Sequence, residues 1–287
     1  MSGIRQKIVE LLLKLDRNKT ADNRRKILEE LAAILAPEYM PLMAKNVAGK
    51  SLDKRFNELA KVAQELVPEY KLKWPYVDWW ESVAFSTYLE DFDEDAVFNA
   101  DRRWMLAQLI RLTDGVVGDT AECGVYSGSS SWLICNYNKS LKTGRSHLMF
   151  DSFAGLSEPG ERDGDHWIQG DLEYPFSKVK ENLSEFVDVE YYPGWIPERF
   201  SEVESRRFSF VHVDVDLYQP TLDCVEFFYP RLNDGGLLVC DDYGSSLCPG
   251  ATEAVNEFLT GKPENMISLS GVGGAIIKGK KCSREIY

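Results

Sequence analysis

With 287 residues, 44% of them hydrophobic and 12% aromatic, the chain suits one large packed domain or a domain with a sizeable appendage. Its net charge of −13 repels phosphate backbones and anionic lipid, so neither nucleic acid nor a membrane is an expected partner. The six cysteines (Cys123, Cys135, Cys224, Cys240, Cys248 and Cys282) form no CxxC pair, which argues against a thiolate zinc site.

Arg5, Lys7, Glu10 and Lys14 interrupt the apolar N-terminus, so no secretory leader is expected. No run is long enough to span a bilayer, and a reducing cytoplasm is the expected compartment. Ile4, Ile8, Leu11, Leu12 and Leu15 recur at helical spacing. Ile27, Leu28, Leu31, Ile34 and Leu35 repeat the pattern up to Pro37. Ser51 caps a third expected helix, carrying Leu52, Phe56, Leu59 and Leu66 and stopped near Pro68. An aromatic-rich stretch follows, with Trp74, Trp79, Trp80, Phe85, Tyr88 and Phe92, and with the acidic residues Glu90, Asp91, Asp93, Glu94 and Asp95. Residues 1–98 thus form a helical extension, suited to be a lid or a homo-oligomer contact.

Beyond it, residues 99–287 change rhythm. A helix over about Arg102–Leu112 leads into a strand ending at Glu122. Further strands are expected at His147–Asp151, Val187–Tyr192, Phe208–Asp214, Gly236–Asp241, Met266–Leu269 and Ala275–Lys278. Helices are expected near Ser130–Tyr137, Ser177–Phe186, Thr221–Leu232 and Thr252–Leu259. Strand–helix alternation implies a parallel, doubly wound α/β sheet. The short link between the last two strands implies an antiparallel hairpin at one edge. Seven strands closed by such a hairpin resemble the class I S-adenosylmethionine (SAM) methyltransferase sheet, a Rossmann-like fold.

The first strand runs into ECGVYSGSSS, Glu122 to Ser131. Ligands of open parallel sheets bind beyond the strands' carboxyl ends. Gly124 and Gly128 allow close backbone approach, and Ser127, Ser129 and Ser130 offer hydroxyls and N–H groups at a helix start. The methionine carboxylate of SAM suits that helix start, and Glu122 suits its ammonium. Tyr126 replaces the second glycine of a GxGxxG fingerprint, which is awkward for a pyrophosphate. A Gly/Ser turn without a ligand fits the same residues. Asp151, ending the second strand, is placed to accept from ribose hydroxyls or to cap a turn.

Two later strands turn abruptly acidic, FSFVHVDVD at Asp214 and Asp216, and LLVCDDY at Asp241 and Asp242. Adjacent parallel strands would crowd these carboxylates, and a divalent cation would remove their repulsion. Oxygen ligands without nearby Cys or His suit Mg²⁺, or Ca²⁺ and Mn²⁺, rather than zinc. His212 alternates faces within its strand and reads as structural. His166 reads equally as a loop residue or a ligand contact. Trp74, Trp79, Trp80 and Trp167 fit an acceptor pocket, or core and oligomer contacts.

The stretches ECGVYSGSSS, FDSFAGLSEPGERDGDH, YYPGWIPERF, VHVDVDLYQPT and GGLLVCDDYGSSLCPGATEAVNEF resemble, in this order over about residues 99–279, the macrocin O-methyltransferase family. The resemblance implies a SAM- and metal-dependent methyltransferase of sugar or phenolic hydroxyls on natural products, with a small hydroxylated acceptor. It implies Asp214, Asp241 and Asp242 as metal ligands and Asp216 as general base. It implies that Glu122 with Cys123, Asp151 with Ser152 and Phe153, the loop residues through Ser130, and Asp214 hold SAM, with Gly194 and Trp195 near the adenine. The family's Thr-Met-Ile-type segment has no match in EDAVFN, Glu94 to Asn99. Leu217 stands where catechol-type enzymes carry a lysine, which favours a carboxylate base. An NAD-dependent oxidoreductase and a non-catalytic nucleoside-binding module are the alternatives; Tyr126 and the acid cluster disfavour the first.

Overall fold

The computed structural model describes residues 49–66, 82–94, 99–142, 144–270 and 273–281, with scattered positions between residues 7 and 34. The expected contributions of Trp74, Trp79, Trp80 and Cys282, and most of EDAVFN, fall outside the described residues. The chain divides into two compact units, Met1–Ser82 and Val83–Tyr287.

In the first unit, helix α1 spans Leu52–Leu66 and buries Phe56. Leu11, Ile27 and Leu31 form a small apolar cluster with Ile34, as their helical spacing predicts.

The second unit opens with α2 (Val83–Asp91) and α3 (Ala100–Leu109). Strands β1 (Asp119–Cys123), β2 (His147–Asp151), β3 (Val189–Pro193), β4 (Phe208–Val213), β5 (Leu232–Cys240), β6 (Ile267–Ser268) and β7 (Gly274–Ile277) make one sheet of order β3-β2-β1-β4-β5-β7-β6. The first five pair in parallel, and β7 runs antiparallel to both β5 and β6. The seven-stranded sheet and its terminal hairpin are thus as expected. Helices α4 (Ser129–Leu141), α5 (Phe176–Asn182), α6 (Tyr218–Phe228) and α7 (Pro249–Leu259) supply the crossovers. Helix α6 stops four residues short of the expected Leu232, because Pro230 has no N–H to continue the ladder, and a 3-10 turn over Tyr229–Arg231 takes over.

Alternation along each strand sorts the core into two layers. On one face Ala121, Cys123, Phe150, Val211, Val213 and Leu238 pack against Cys224, Val225 and Phe228 of α6 and Val255 of α7. On the other, Phe210, Leu237 and Val239 meet Leu106 and Ile134, while Met149 meets Cys135, Val179 and Leu183. Each fully buried side chain of this size contributes about 1.5–3 kcal/mol. Within the second layer two strand positions are charged instead of apolar: Glu122 on β1 and its register partner His212 on β4, both 0% exposed.

Candidate active site

The strand order reverses between β1 and β4, the switch point where sheets of this kind place ligands. Gly124, just after β1, has φ +82°, and a Cβ there would lie 1.7 Å from the Asp214 carbonyl oxygen. No other residue type fits so close a crossing of two strand ends. Gly128, at φ +88°, then turns the chain into α4.

Asp151 organises this loop. One carboxylate oxygen accepts from the N–H groups of Val125 (2.6 Å) and Tyr126 (3.1 Å), and the other from that of Phe153 (2.6 Å). The Asp151 carbonyl accepts from the Gly194 N–H at 3.0 Å, which draws Gly194 and Trp195 to the same edge. Tyr126 is half exposed, its ring 5.1 Å edge-on to Tyr174, and Phe153 stacks on Phe176 at 4.6 Å. Ser152 accepts from the Ala154 N–H and donates to the Gly155 carbonyl. Ser127, Ser129 and Ser130 are buried at the start of α4. The Cys123 side chain lies in the opposite core layer, so only its backbone faces the switch point, where its carbonyl accepts from the Asp214 N–H at 2.8 Å.

Glu122 is turned inward. It accepts from His212 Nδ1 at 2.7 Å and from the Ser131 hydroxyl. His212 Nε2 lies 3.6 Å from Asp241 Oδ1. A buried row therefore runs from Ser131 in the first turn of α4 through Glu122 and His212 to Asp241. Burial alone would lower the His212 pKa, but the nearby Asp241 carboxylate and the bond to Glu122 raise it to about 10, which favours the imidazolium. His147 meets Ser131 at 3.1 Å and Thr120 at 3.0 Å, and burial, with the charge of His212, lowers it to about 3, so it stays neutral.

Asp214, Asp241 and Asp242 follow the ends of β4 and β5, and Asp216 lies beside them in the left-handed region, φ +59°. The Asp216 N–H donates to Asp242 Oδ2 at 2.9 Å. Arg102, at the start of α3, donates to an Asp241 carboxylate oxygen and to the Asp241 carbonyl at 3.2 Å, and lies 3.8 Å from Asp242. Arg103 is 3.7 Å from Asp241 and 4.0 Å from Asp214, and its Nε donates to Glu94 at 3.0 Å. Burial, reinforced by Asp241, raises the Asp214 carboxyl to about 7; burial also lifts Asp216 to about 6 against the opposing bond from Cys248. Burial would raise Asp241 too, but His212, Arg102 and Arg103 hold it well below the usual range.

Six carboxylates (Glu94, Glu122, Asp214, Asp216, Asp241 and Asp242) thus share this corner with three cations, Arg102, Arg103 and His212. The excess of negative charge and the oxygen-rich donor set fit a hard divalent ion. One expectation is corrected: the corner is not free of His and Cys. The side-chain N and O atoms of His212, Asp214 and Asp241 lie within 4.8 Å of one another, and the O and S atoms of Asp216, Asp242 and Cys248 do likewise; held as an imidazolium, His212 has no lone pair for a metal and acts there as a counter-charge. The strand periodicity hid His212, and Cys248 arrives from the turn before α7.

Cys248 Sγ donates to Asp216 at 3.4 Å and accepts from the Trp167 indole N–H at 3.4 Å. Trp167 belongs to the segment after β2, which Asp163 buckles down. Its carboxylate accepts from the Tyr218 N–H at 2.6 Å, capping α6, and from the Gly160 N–H at 2.7 Å. Arg162 adds a 3.0 Å pair with Glu257 and lies 4.3 Å over the Tyr218 ring. His166 is exposed, its ring 4.6 Å from that of Trp167. Asp163→Ala is expected to cost about 1–3 kcal/mol in urea unfolding, because the partly buried N–H groups of Gly160 and Tyr218 lose a charged acceptor. A midpoint equal to the parent's would show that the buckle contributes nothing.

Arg102, Arg103, Glu94, Asp163 and Cys248 were not assigned to the site from the sequence. The signal for the arginines was the adjacent pair itself, opening a helix just before the first strand, in a chain whose strand-end acids need cations.

Known proteins resemble this chain. The mycinamicin III 3''-O-methyltransferase of Micromonospora griseorubida is 30% identical over 163 residues, covering 51% of this chain and 62% of that protein. The Streptomyces olivaceus 8-demethyl-8-(2,3-dimethoxy-alpha-L-rhamnosyl)-tetracenomycin-C 4'-O-methyltransferase is 32% identical over 152 residues, covering 49% of this chain and 58% of the relative. The chain therefore spans about three fifths of the length of these curated relatives. The calicheamicin methyltransferase CalS11 shares the fold with a TM-score of 0.57 at 18% identity, over 81% of this chain and 95% of its own. The O-methyltransferase NovP does so with a TM-score of 0.55 at 24% identity, over 63% and 81%. Residues 103–269, which hold the switch-point loop and all four strand-end aspartates, match the macrocin O-methyltransferase (TylF) family, and the chain belongs to that family.

Proposed function

We propose that the protein is a SAM- and divalent-metal-dependent O-methyltransferase that acts in the cytoplasm on a sugar or phenolic hydroxyl of a small natural product. The observation that carries this reading is the meeting of Asp214, Asp216, Asp241 and Asp242 beside a Gly124–Gly128 loop held by Asp151. The related proteins, named as O-methyltransferases of a rhamnosyl-tetracenomycin, of mycinamicin III and of demethyldecarbamoylnovobiocin, support a natural-product acceptor. Among the described residues no helix is long and apolar enough to cross a membrane. The first unit is assigned a role as lid or subunit contact.

When bound, SAM would supply an electrophilic methyl group, and a cation held by Asp214, Asp241 and Asp242 would supply Lewis acidity to the acceptor hydroxyl. The chain's own residues do the rest. The N-terminal turn of α4, with the N–H groups and hydroxyls of Ser129 and Ser130, receives the methionine carboxylate. The exposed rings of Tyr126 and Trp195 would offer apolar faces to the nucleoside. Asp216 takes the proton of the acceptor hydroxyl, oriented by the Cys248 thiol and by its own backbone bond to Asp242. The buckled segment bearing Trp167 screens Asp216 from water.

Calorimetry with S-adenosylhomocysteine is expected to show saturable binding. Incubation with SAM, MgCl₂ and a panel of glycosylated and phenolic acceptors is expected to give products heavier by one methylene. Stripping with EDTA should lower turnover by about 100-fold or more, restored by Mg²⁺. Absence of S-adenosylhomocysteine binding with and without Mg²⁺ would remove the basis for the reading.

A further inference from the structure

Three cations serve the acidic corner, and they are not equivalent. His212 is completely buried and locked by Glu122. Arg103 has a side chain only 10% exposed and a partner of its own in Glu94. Arg102 has a side chain 26% exposed, and its ion pairs are with Asp241 and Asp242. Its Nε is buried without a hydrogen bond, and its terminal nitrogen is held by the Asp241 and Asp242 carboxylates together with the Asp241 carbonyl. Two of the three proposed metal ligands are therefore engaged by a positive side chain of the same molecule. A divalent ion using the same Asp241 oxygen would face that charge at contact distance, where repulsion in a partly buried site is large. Arg102 is also the cation with a route out, being the most exposed of the three and standing in the first turn of α3.

We propose that Arg102 is a tethered counter-cation that competes with the divalent ion for Asp241 and Asp242 and so sets the metal affinity of the site. The proposal rests on the reading of this corner as a metal site. Before metal arrives, Arg102 offsets part of the repulsion among the carboxylates. When the ion binds, the guanidinium leaves Asp241, while Arg103 and His212 stay. The site is therefore weaker for metal than its carboxylates alone would make it, and the part of the deficit that can be removed is carried by Arg102, the side chain in direct hydrogen-bond contact with Asp241.

The test is a titration of the full-length protein with MnCl₂, free Mn²⁺ being read from its electron paramagnetic resonance signal. Parent, Arg102→Gln, Arg102→Lys and Asp242→Asn are compared, and each fold is checked by circular dichroism. Arg102→Gln is expected to bind Mn²⁺ at least about tenfold more tightly than the parent. Arg102→Lys keeps the charge but not the planar fork, so its affinity should fall between the two; it carries the test if the Gln variant does not fold. Mn²⁺ should also raise the melting temperature of Arg102→Gln more than that of the parent. Equal or weaker binding in Arg102→Gln, with the parent and the variant both binding through Asp242, overturns the competition and leaves the metal reading intact. No Mn²⁺ binding by any form, or binding undiminished in Asp242→Asn, overturns the metal reading and the competition with it.

Discussion

Asp216→Asn is expected to lower kcat by about 10²–10⁴-fold while leaving the affinity for S-adenosylhomocysteine within about twofold. The substitution isolates the carboxylate from its surroundings. Asp216 sits at φ +59°, a conformation that asparagine accepts more readily than most residues, so the backbone has no reason to move. The bond from its N–H to Asp242 survives, because it is a main-chain bond. The amide oxygen still accepts from Cys248. What is lost is the ability to take a proton. The loss should appear in kcat rather than in KM, since an amide of the same shape preserves the contacts of the ground state. Steady-state rates at saturating SAM and acceptor would show it, and an unchanged kcat would remove Asp216 from the chemistry.

Gly124→Ala carries the largest expected effect on stability, a loss of about 4 kcal/mol or more. Two costs combine there. The positive φ of +82° disfavours any side chain, and the new methyl would overlap the Asp214 carbonyl at 1.7 Å. That carbonyl is main chain, so relief requires β1 and β4 to separate, and the bond between the Asp214 N–H and the Cys123 carbonyl at 2.8 Å sits in the same crossing. Because the same residues carry Asp214 and the SAM-binding loop, the protein that remains folded should also bind S-adenosylhomocysteine poorly. Thermal unfolding gives the first number and calorimetry the second. A melting temperature equal to the parent's would mean that the crossing is looser than described.

The sheet was legible because its strands are short apolar runs closed by a charge or a glycine. Each of those expected at His147–Asp151, Phe208–Asp214 and Ala275–Lys278 appears within a residue or so at each end. The strand-end aspartates were legible for the same reason, as abrupt acids after buried residues. Partners distant in the chain were not. Nothing local marks Glu122 as the mate of His212, some 90 positions away, or Asp163 as the cap of α6, 55 positions on. Asp151 shows the same limit: position alone suited a ribose contact, and the fold adds three backbone bonds that shape the loop. Arg102 and Arg103 read as ordinary polar residues of an amphipathic helix, since the charge they answer lies beyond β4 and β5.

The order of the sheet has one more consequence. The loop, the base and the acidic corner are supplied by β1, β4 and β5, three strands side by side in the interior of the sheet, while β3 and β6 form its margins. Interior strands open only when the whole domain opens, whereas a two-residue margin such as β6 frays on its own. The acidic corner therefore sits where opening is global, while the two margins of the sheet differ in what they carry. Fraying of β6 alone is expected to leave the acidic corner in place, whereas loss of β3 would carry away Gly194 and Trp195, the adenine side of the proposed cofactor site.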